Sequence, residues 1–330
     1  MAEIYMDNAA GTRLLHEALD AMMPYLTTQY GNPSSIHTFG NAPRAAVDRS
    51  REQTAALIGA APAEITFASC GSESNNLALK GTAWANEKKG RHIVVSAIEH
   101  QSVLHAAKAL TRLGWEVTHV PVDSLGFVDP QAVADAIRDD TVLVSITHAS
   151  NEIGTIEPIR DIAAAAKAKG ALFHTDAVQT AGTIQVDVND LGIDLLTLSA
   201  NAFYGPKGAA ALYIRKGVRV FSLIDGGIQE RGKRAGTENV PAIVGMGAAA
   251  EIAMRDMSER IPRLSRLRDR LMDGLVERIP KILVNGDRVR RIPGNVHISV
   301  PAVEGESMLF SLAANGIYAE IGRASCRERV

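Results

Sequence analysis

Short apolar segments alternate with segments of helical periodicity between residues 15 and 214 of this chain. Seven apolar runs predict strands: Ile65–Ala68, His92–Ser96, Val117–Val120, Val142–Thr147, Ala171–Thr175, Leu195–Ser199 and Ala210–Ile214. Apolar residues at helical spacing predict five helices: Leu15–Leu26, Pro43–Gly59, Ser74–Lys88, Ser102–Leu113 and Ile159–Lys169. Because strands that alternate with helices build helix-covered parallel sheets, the pattern predicts an α/β domain with a largely parallel sheet.

The pattern changes after this domain. Val240–Arg278 is a long helix-rich stretch without a strand signal, and we expect it to cross to a second domain. Asn295–Val300 then predicts a strand, and Gly305–Ala314 predicts a helix. The sequence therefore predicts a smaller α+β unit after the α/β domain, and a chain of 330 residues is long enough for both.

Charge and composition disfavour several classes of function. The net charge is −2, which gives no electrostatic case for nucleic acid or an anionic membrane surface. No apolar run approaches the roughly 18 residues of a membrane span, and no basic region precedes an apolar stretch at the N-terminus. Two cysteines, Cys70 and Cys326, cannot build a disulfide framework. These features predict a cytoplasmic protein without nucleic-acid or membrane partners.

Ligand-type residues follow the ends of the predicted strands, where open α/β sheets bind their ligands. The turn at residues 69–76 leaves the first strand of the sheet and opens a helix. Its small residues can present free backbone N–H groups to a phosphate. A tight strand-to-helix turn capped by Ser72, without any ligand, explains the same residues about as well.

Four polar side chains follow later strands. His100 suits stacking on an aromatic ring or proton transfer, but a histidine that begins a helix is the simpler alternative. Asp176 suits a pyridinium nitrogen, which it would keep protonated, or the capping of the next segment. Asn151 suits a ring substituent or the closing of a turn, and Gln179 stands close behind Asp176.

Residues 226–239 are rich in glycine and in basic side chains and end in a helix-start signal. They suit a second phosphate-binding element or a flexible surface loop. Each of these motifs is weak alone, and together they favour a ligand site at the strand ends.

In chain order, eight segments resemble those of the cysteine desulfurases, pyridoxal-phosphate (PLP) enzymes of the class V aminotransferase group. The matching segments are Tyr5–Ala10, Gly31–His37, Gly71–Asn76, Glu99–His100, Asn151–Gly154, Asp176–Gln179, Tyr204–Gly208 and Arg234–Asn239. The resemblance is specific to the branch that supplies sulfur for iron–sulfur clusters. It implies fold type I of the PLP-dependent transferases, with a mostly parallel seven-stranded sheet in the large domain and a smaller α+β domain, here incomplete.

The resemblance also implies the domain limits. Residues 1–14 would contribute to the small domain, residues 15–258 would form the large PLP-binding domain, and residues 259–319 would be part of the small domain.

Residues 320–330 resemble the translation of a sequencing-library adapter, so we expect a non-native tail and a native gene that continues. Cys326 lies in that tail outside the family's cysteine motif, so the persulfide cysteine is not identified.

The resemblance assigns four residues to the cofactor phosphate. Gly71, Ser72 and Ser199 would hold the phosphate within one subunit. Thr237 would reach the phosphate of the neighbouring subunit's cofactor, which implies a homodimer. No metal site is implied.

The resemblance assigns four further residues to the cofactor ring. His100 would stack on the pyridine ring, and Asp176 would pair with the ring nitrogen. Asn151 and Gln179 would bond the region of the phenolic oxygen.

Ala202 departs from the family. Family members have His-Lys where this chain has Asn201-Ala202, and that lysine forms a Schiff base with the cofactor and moves protons at the substrate α-carbon. Asn201 would still lie in the cofactor-binding segment, but Ala202 has no amine. The expected PLP is therefore non-covalent or weakly held, and Lys207, beyond the Gly205-Pro206 turn, is not expected to replace the lysine. The change is either natural divergence or an alteration.

Two functions follow from the resemblance. The first is a sulfurtransferase that moves sulfur from L-cysteine, giving L-alanine, to an iron–sulfur scaffold protein. The alternative is a catalytically impaired relative that keeps the fold and the dimer and acts as a scaffold partner. The pocket motifs favour the first and Ala202 favours the second. Another PLP-dependent lyase or aminotransferase is disfavoured, because the loss of the lysine harms those reactions equally.

Overall fold

The structure is a computed structural model, and it describes residues 3–322. Its helices are α1 (His16–Thr27), α2 (Thr38–Leu57), α3 (Gly71–Asn76), α4 (Thr82–Asn86), α5 (Gln101–Thr111), α6 (Pro130–Ala136), α7 (Ile159–Ala168), α8 (Val240–Arg278) and α9 (Gly305–Ala314). Its strands are β1 (Ile4–Tyr5), β2 (Ile65–Ala68), β3 (His92–Ser96), β4 (Glu116–Val120), β5 (Thr141–Ser145), β6 (Leu172–Asp176), β7 (Leu195–Ser199), β8 (Ala210–Ile214), β9 (Leu283–Val284), β10 (Ile298–Ser299) and β11 (Ile317–Tyr318).

A seven-stranded sheet forms the centre of the fold. Its strand order is β2-β8-β7-β6-β5-β3-β4. β8 runs antiparallel to its neighbours β2 and β7, and all the other pairs are parallel. The prediction of a mostly parallel seven-stranded sheet is confirmed. The carboxyl ends of the six strands that share a direction meet at one end of the sheet, where open α/β folds bind ligands.

The sheet is covered on both faces because its central strands are apolar on both sides. β3, β5, β7 and β8 are buried along their whole length. In β3, Val94 packs into one apolar cluster and its neighbours Ile93 and Val95 pack into another. Since successive strand residues point to opposite faces, the two clusters lie on opposite sides of the sheet. This double burial holds the strand ends, and the residues that follow them, in fixed positions.

Several predicted elements differ from the observed ones. The seven strands of the main sheet lie within two residues of their predicted limits. The predicted helix at Ser74–Lys88 is instead α3, a π-helical stretch at Leu77–Gly81 and α4. The predicted strand at Asn295–Val300 is wrong in extent, because only β10 pairs there, with β9.

The sequence pattern did not predict α6. It has only seven residues, too few for a clear helical period. Its start is nevertheless encoded, since the Asp129 side chain accepts a hydrogen bond from the Gln131 N–H at 2.9 Å and Pro130 occupies the first turn.

The helix-rich stretch at Val240–Arg278 is a single helix of 39 residues, whose buried positions lie mostly before Met254. β1 pairs in parallel with β11 and so brings residues 4–5 beside residues 317–318. The division into residues 1–14, 15–258 and 259–319 stays a prediction. Between residues 3 and 322 no helix combines the length and apolar character that a membrane crossing requires.

Candidate cofactor site

The turn between β2 and α3 places Gly71 against the ends of β6 and β7. A Cβ on Gly71 would lie 3.0 Å from Val178 Cγ2, 3.7 Å from Ser199 Cβ and 3.9 Å from Thr197 Cγ2. A side chain would therefore fill this close approach, and glycine leaves it open. Because the first N–H groups of a helix have no acceptor within the helix, the start of α3, with Gly71 and Ser72, suits an anionic group.

Glu73 holds this turn in place. Its carboxylate accepts hydrogen bonds from the Ser69 N–H and from Arg234 Nε, both at 2.8 Å. Burial raises the pKa of Glu73, but the hydrogen bonds from Arg234 and Ser69 outweigh burial and leave the pKa below its usual value. Cys70 Sγ accepts a hydrogen bond from the Glu73 N–H at 3.4 Å. Through Arg234, the glycine-rich segment 226–239 is tied to the turn.

Asp176 ends β6 with a buried carboxyl group, only 7% exposed. The group accepts hydrogen bonds from Asn75 Nδ2 at 2.7 Å and from the Val178 N–H at 3.0 Å. Burial raises the pKa of Asp176, while these hydrogen bonds and the nearby His100 act to lower it. Within residues 3–322 no arginine or lysine forms an ion pair with Asp176. A buried carboxyl that no arginine or lysine neutralises fits a protonated ring nitrogen.

A chain of hydrogen bonds joins Asp176 to His100. Asn75 Nδ2 donates both to Asp176 Oδ2 at 2.7 Å and to Ser102 Oγ at 2.8 Å. Ser102 Oγ lies 2.7 Å from His100 Nδ1, and the Ser102 N–H donates to the same nitrogen at 3.2 Å. The sequence-based set missed Asn75 and Ser102. The sequence signal that could have indicated them was position: Asn75 lies one turn into α3, and Ser102 lies at the start of α5.

The Asn201 side chain is the acceptor of the hydrogen bond that the Ser199 hydroxyl donates. Ser199 Oγ donates to Asn201 Oδ1 at 2.6 Å, and the Asn201 carbonyl accepts from the Thr12 N–H at 2.9 Å. Ala202 ends a single 3₁₀ turn that follows β7 and is half-buried. The Gly205 N–H donates to the Ala200 carbonyl at 2.8 Å and closes this segment. The backbone around Ala202 is thus held from both sides.

The remaining predicted site residues lie in three places. Gln179 Nε2 donates to the Ala9 carbonyl at 3.1 Å and ties the N-terminal segment to the end of β6. Asn151 is half-buried in the turn between β5 and α7. Thr237 is exposed on the loop before α8. The role of Thr237 stays a prediction.

Cys326 lies outside the residues that the structure describes, as does most of the predicted non-native tail. Among residues 3–322, no cluster of three or more histidine, cysteine or acidic side chains could hold a metal ion.

Glu99 lies buried beside His100 at the ends of β3 and β5. Its Oε1 accepts hydrogen bonds from the Thr147 N–H at 2.7 Å and from Ser96 Oγ. Its Oε2 is buried without a hydrogen-bond partner within residues 3–322. Burial raises the pKa of Glu99 from 4.5 to about 8, so the carboxyl group is protonated at neutral pH.

The buried Glu99 makes stability depend on pH. Between pH 4.5 and 8 the unfolded chain loses a proton that the folded chain keeps, so the free energy of unfolding falls as pH rises. We expect Glu99→Gln to remove a slope of about 1 kcal/mol per pH unit between pH 6 and 8. Urea unfolding of both proteins across this range measures the slopes, and the other titrating groups cancel in the difference. Equal slopes in the two proteins would contradict the expectation.

The fold type and the residues gathered at the strand ends define the class of this protein. The chain belongs to the family described as Aminotransferase class-V, which it matches over residues 4–328. This is a family of PLP-dependent enzymes. Within it the chain is 51% identical over 322 residues to the cysteine desulfurase IscS of Dictyoglomus turgidum (strain DSM 6724 / Z-1310), an alignment that covers 98% of this chain and 82% of that protein.

Solved structures agree with this placement. A NifS-like protein superposes with a TM-score of 0.93 at 40% identity, over 96% of this chain and 87% of that one. SspA in complex with cysteine superposes with a TM-score of 0.81 at 34% identity, over 98% of this chain and 90% of that one. The resemblance to the cysteine desulfurases and the predicted fold type are confirmed. The roles of the individual site residues stay predictions.

Proposed function

We propose that this chain is a cysteine desulfurase that binds PLP without a covalent link and moves sulfur from L-cysteine, leaving L-alanine, to an iron–sulfur scaffold protein. The observation that carries the proposal is the buried Asp176 carboxyl, which forms no ion pair with an arginine or lysine within residues 3–322 and lies beside the open Gly71 turn. The names of two similar proteins support the substrate, since one is a cysteine desulfurase and the other was solved with cysteine.

The phosphate of the cofactor would bind at the start of α3. Gly71 keeps this place open, and the backbone N–H groups of Gly71 and Ser72 would donate to the phosphate oxygens. The Ser199 side chain lies at the same place, since its Cβ is 3.7 Å from a Cβ built on Gly71. Arg234 and Glu73 hold the turn in shape through their ion pair.

The ring would lie over the end of β6. Asp176 would pair with the ring nitrogen, and His100, oriented by Ser102, would stack on the ring. Asn151 and Gln179 would bond the phenolic oxygen. When bound, PLP supplies the electron sink for chemistry at the substrate α-carbon. This chain's own contribution is to keep that ring nitrogen protonated by offering it a buried carboxylate.

A homodimer would complete the site. Thr237 is exposed on the loop before α8, where it is free to reach the cofactor phosphate of a second subunit. Residues 15–258 would form the large domain of each subunit, with residues 1–14 and 259–319 in the small one. The protein would act in the cytoplasm.

Ala202 favours a second candidate function. Without an amine at this position, the chain lacks the group that would hold the cofactor covalently and move protons. In this candidate the protein keeps the fold and the dimer and binds an iron–sulfur scaffold protein without turning over cysteine.

Titration of the chain with PLP tests the cofactor proposal. We expect the absorbance spectrum of PLP to change with a saturating dependence on protein concentration. Asp176→Asn, which keeps the size of the side chain but removes its charge, should weaken this binding about tenfold or more, as for a hydrogen bond to a charged group. Alanine formed from cysteine, measured by chromatography, distinguishes the two candidates. Saturable PLP binding that is the same in both proteins would reject the assigned role of Asp176, and no binding at all would reject the PLP site.

A further inference from the structure

The turn at residues 150–156 carries Asn151 at its tip. The Gly154 N–H donates to the Ser150 carbonyl at 3.0 Å, and the Ser150 N–H donates to the Thr155 carbonyl at 3.2 Å. Ser150 Oγ also accepts hydrogen bonds from the two N–H groups that follow Asn151, both at 3.3 Å. These bonds close the turn on itself, but none of them ties its tip to another part of the chain.

Asn295 holds the tip of the turn, although it lies 143 residues further along the chain than Glu152. Its Nδ2 donates to the Glu152 carbonyl at 2.8 Å, one residue after Asn151. Gly154 lets the two segments approach this closely. It has a φ of +75°, and a Cβ on it would lie 2.5 Å from Asn295 Oδ1.

The backbone of the 290–295 segment adds two more bonds to the same turn. The Ile292 N–H donates to the Gly154 carbonyl at 2.9 Å, and the Ile156 N–H donates to the Arg290 carbonyl at 2.9 Å. One side of the turn is therefore paired with a segment from beyond α8, in the manner of a short strand.

Arg291 fixes the orientation of the Asn295 amide. Arg291 is only 3% exposed, and its Nη1 donates to Asn295 Oδ1 at 3.0 Å. Its other nitrogens donate to the carbonyls of Asp287, at 2.7 Å, and Asn285. A guanidinium can only donate, so the amide must turn its oxygen toward Arg291 and its NH₂ toward the Glu152 carbonyl.

We propose that Asn295, oriented by the buried Arg291, is a positioning residue that sets where the Asn151 amide lies in the cofactor site. This inference rests on the proposed function, in which Asn151 bonds the phenolic oxygen of PLP. The 285–295 segment follows α8, so the place of Asn151 depends on the part of the chain beyond the central sheet. A displacement of that segment moves the Asn151 turn with it.

Hydrogen exchange of the full chain without cofactor tests the contact itself. In Asn295→Asp the side chain still accepts from Arg291 but cannot donate to the Glu152 carbonyl, so the variant removes one bond and keeps the other. We expect the amides of residues 152–156 to exchange about fivefold faster or more in this variant, as for the loss of one hydrogen bond. Asn285→Ala is the matched control, because its side chain bonds His297 and Ser299 and not the turn.

The affinity for PLP tests the link to Asn151. We expect Asn295→Ala to weaken PLP binding about fivefold, and we expect no further loss when Asn295→Ala is added to Asn151→Ala. A residue that merely stabilised the fold would weaken both backgrounds equally. Thermal unfolding of each variant shows whether it is folded, and Asn295→Asp serves if Asn295→Ala is not.

Each outcome decides a different point. Unchanged exchange in Asn295→Asp would overturn the contact, and equal losses of PLP affinity in both backgrounds would overturn the positioning role. If no variant and not even the parent chain binds PLP, the proposed function fails, and the exchange result still shows whether Asn295 holds the turn.

Discussion

Ala202→Lys is expected to give a protein that holds PLP covalently and forms alanine from cysteine about 10²–10⁴-fold faster than the parent chain. The ratio is what general acid–base help supplies at a reacting centre. A lysine amine here would link to the cofactor aldehyde and would also move protons at the substrate α-carbon. The parent chain retains only the groups that bind and orient.

The backbone at this position favours the gain. Ala202 is half-buried, and its segment is already held by hydrogen bonds. Tyr204 N–H donates to Thr12 Oγ1 at 2.7 Å, and the Asn201 carbonyl accepts from the Thr12 N–H at 2.9 Å. The new amine therefore needs no rearrangement of the turn that follows β7.

Ala202→Met is the matched control, because it adds a side chain of similar length without an amine. Borohydride reduction followed by mass spectrometry detects the covalent link, and chromatography measures alanine. We expect the link and the gain in rate only with lysine, and we expect both to survive Lys207→Met. A lysine variant that behaves like the methionine variant would mean that the pocket does not bring the cofactor to this turn.

The fold was predictable because its pattern is local and periodic. Buried strands such as β3 and β7 are continuous apolar runs, and the limits of both agree with the sequence-based prediction. Strand ends then indicated Gly71 and Asp176 as site residues, since parallel strands bring such residues together. α6 was missed because seven residues show too little periodicity.

The contacts that hold the site were not predictable in the same way. Asn75 meets Asp176 across 101 residues of sequence, and Asn295 meets Glu152 across 143. Their residue types are common in turns and helix starts, so the sequence gives no sign of which partner each will have. Such pairs become visible only when the fold has placed the strand ends and the loops beside one another.

Arg51 and Glu230 form another contact between residues that are distant in the sequence. This ion pair is buried, and we expect its loss to have a large effect on stability. Arg51 in α2 donates to both oxygens of Glu230, each at 2.7 Å, and the two side chains are 9% and 2% exposed. Glu230 also accepts from the Phe67 N–H at 2.9 Å in β2. Glu230 and Arg231 have φ values of +47° and +57°, so strained backbone is held in place by these bonds. The pair fixes the loop that carries Thr237.

Glu230→Ala is expected to lower the free energy of unfolding by about 3–5 kcal/mol, because it leaves the Arg51 guanidinium buried without its partner. Urea unfolding measures the change. Glu17→Ala is the control, since Glu17 pairs with Arg255 at 3.5 Å on the surface, where both side chains are about 60% exposed. That exposed pair should contribute less than about 1 kcal/mol.

The double variant Arg51→Met/Glu230→Met separates the pair from the burial of a lone charge. Apolar side chains of similar size remove both charges together, so we expect the double variant to recover more than half of the stability lost in Glu230→Ala. The Phe67 N–H still loses its acceptor, which limits the recovery. A Glu230→Ala protein no less stable than Glu17→Ala would show that the loop before α8 does not depend on this ion pair. A double variant as unstable as Glu230→Ala would place the cost in the lost hydrogen bond to β2 instead.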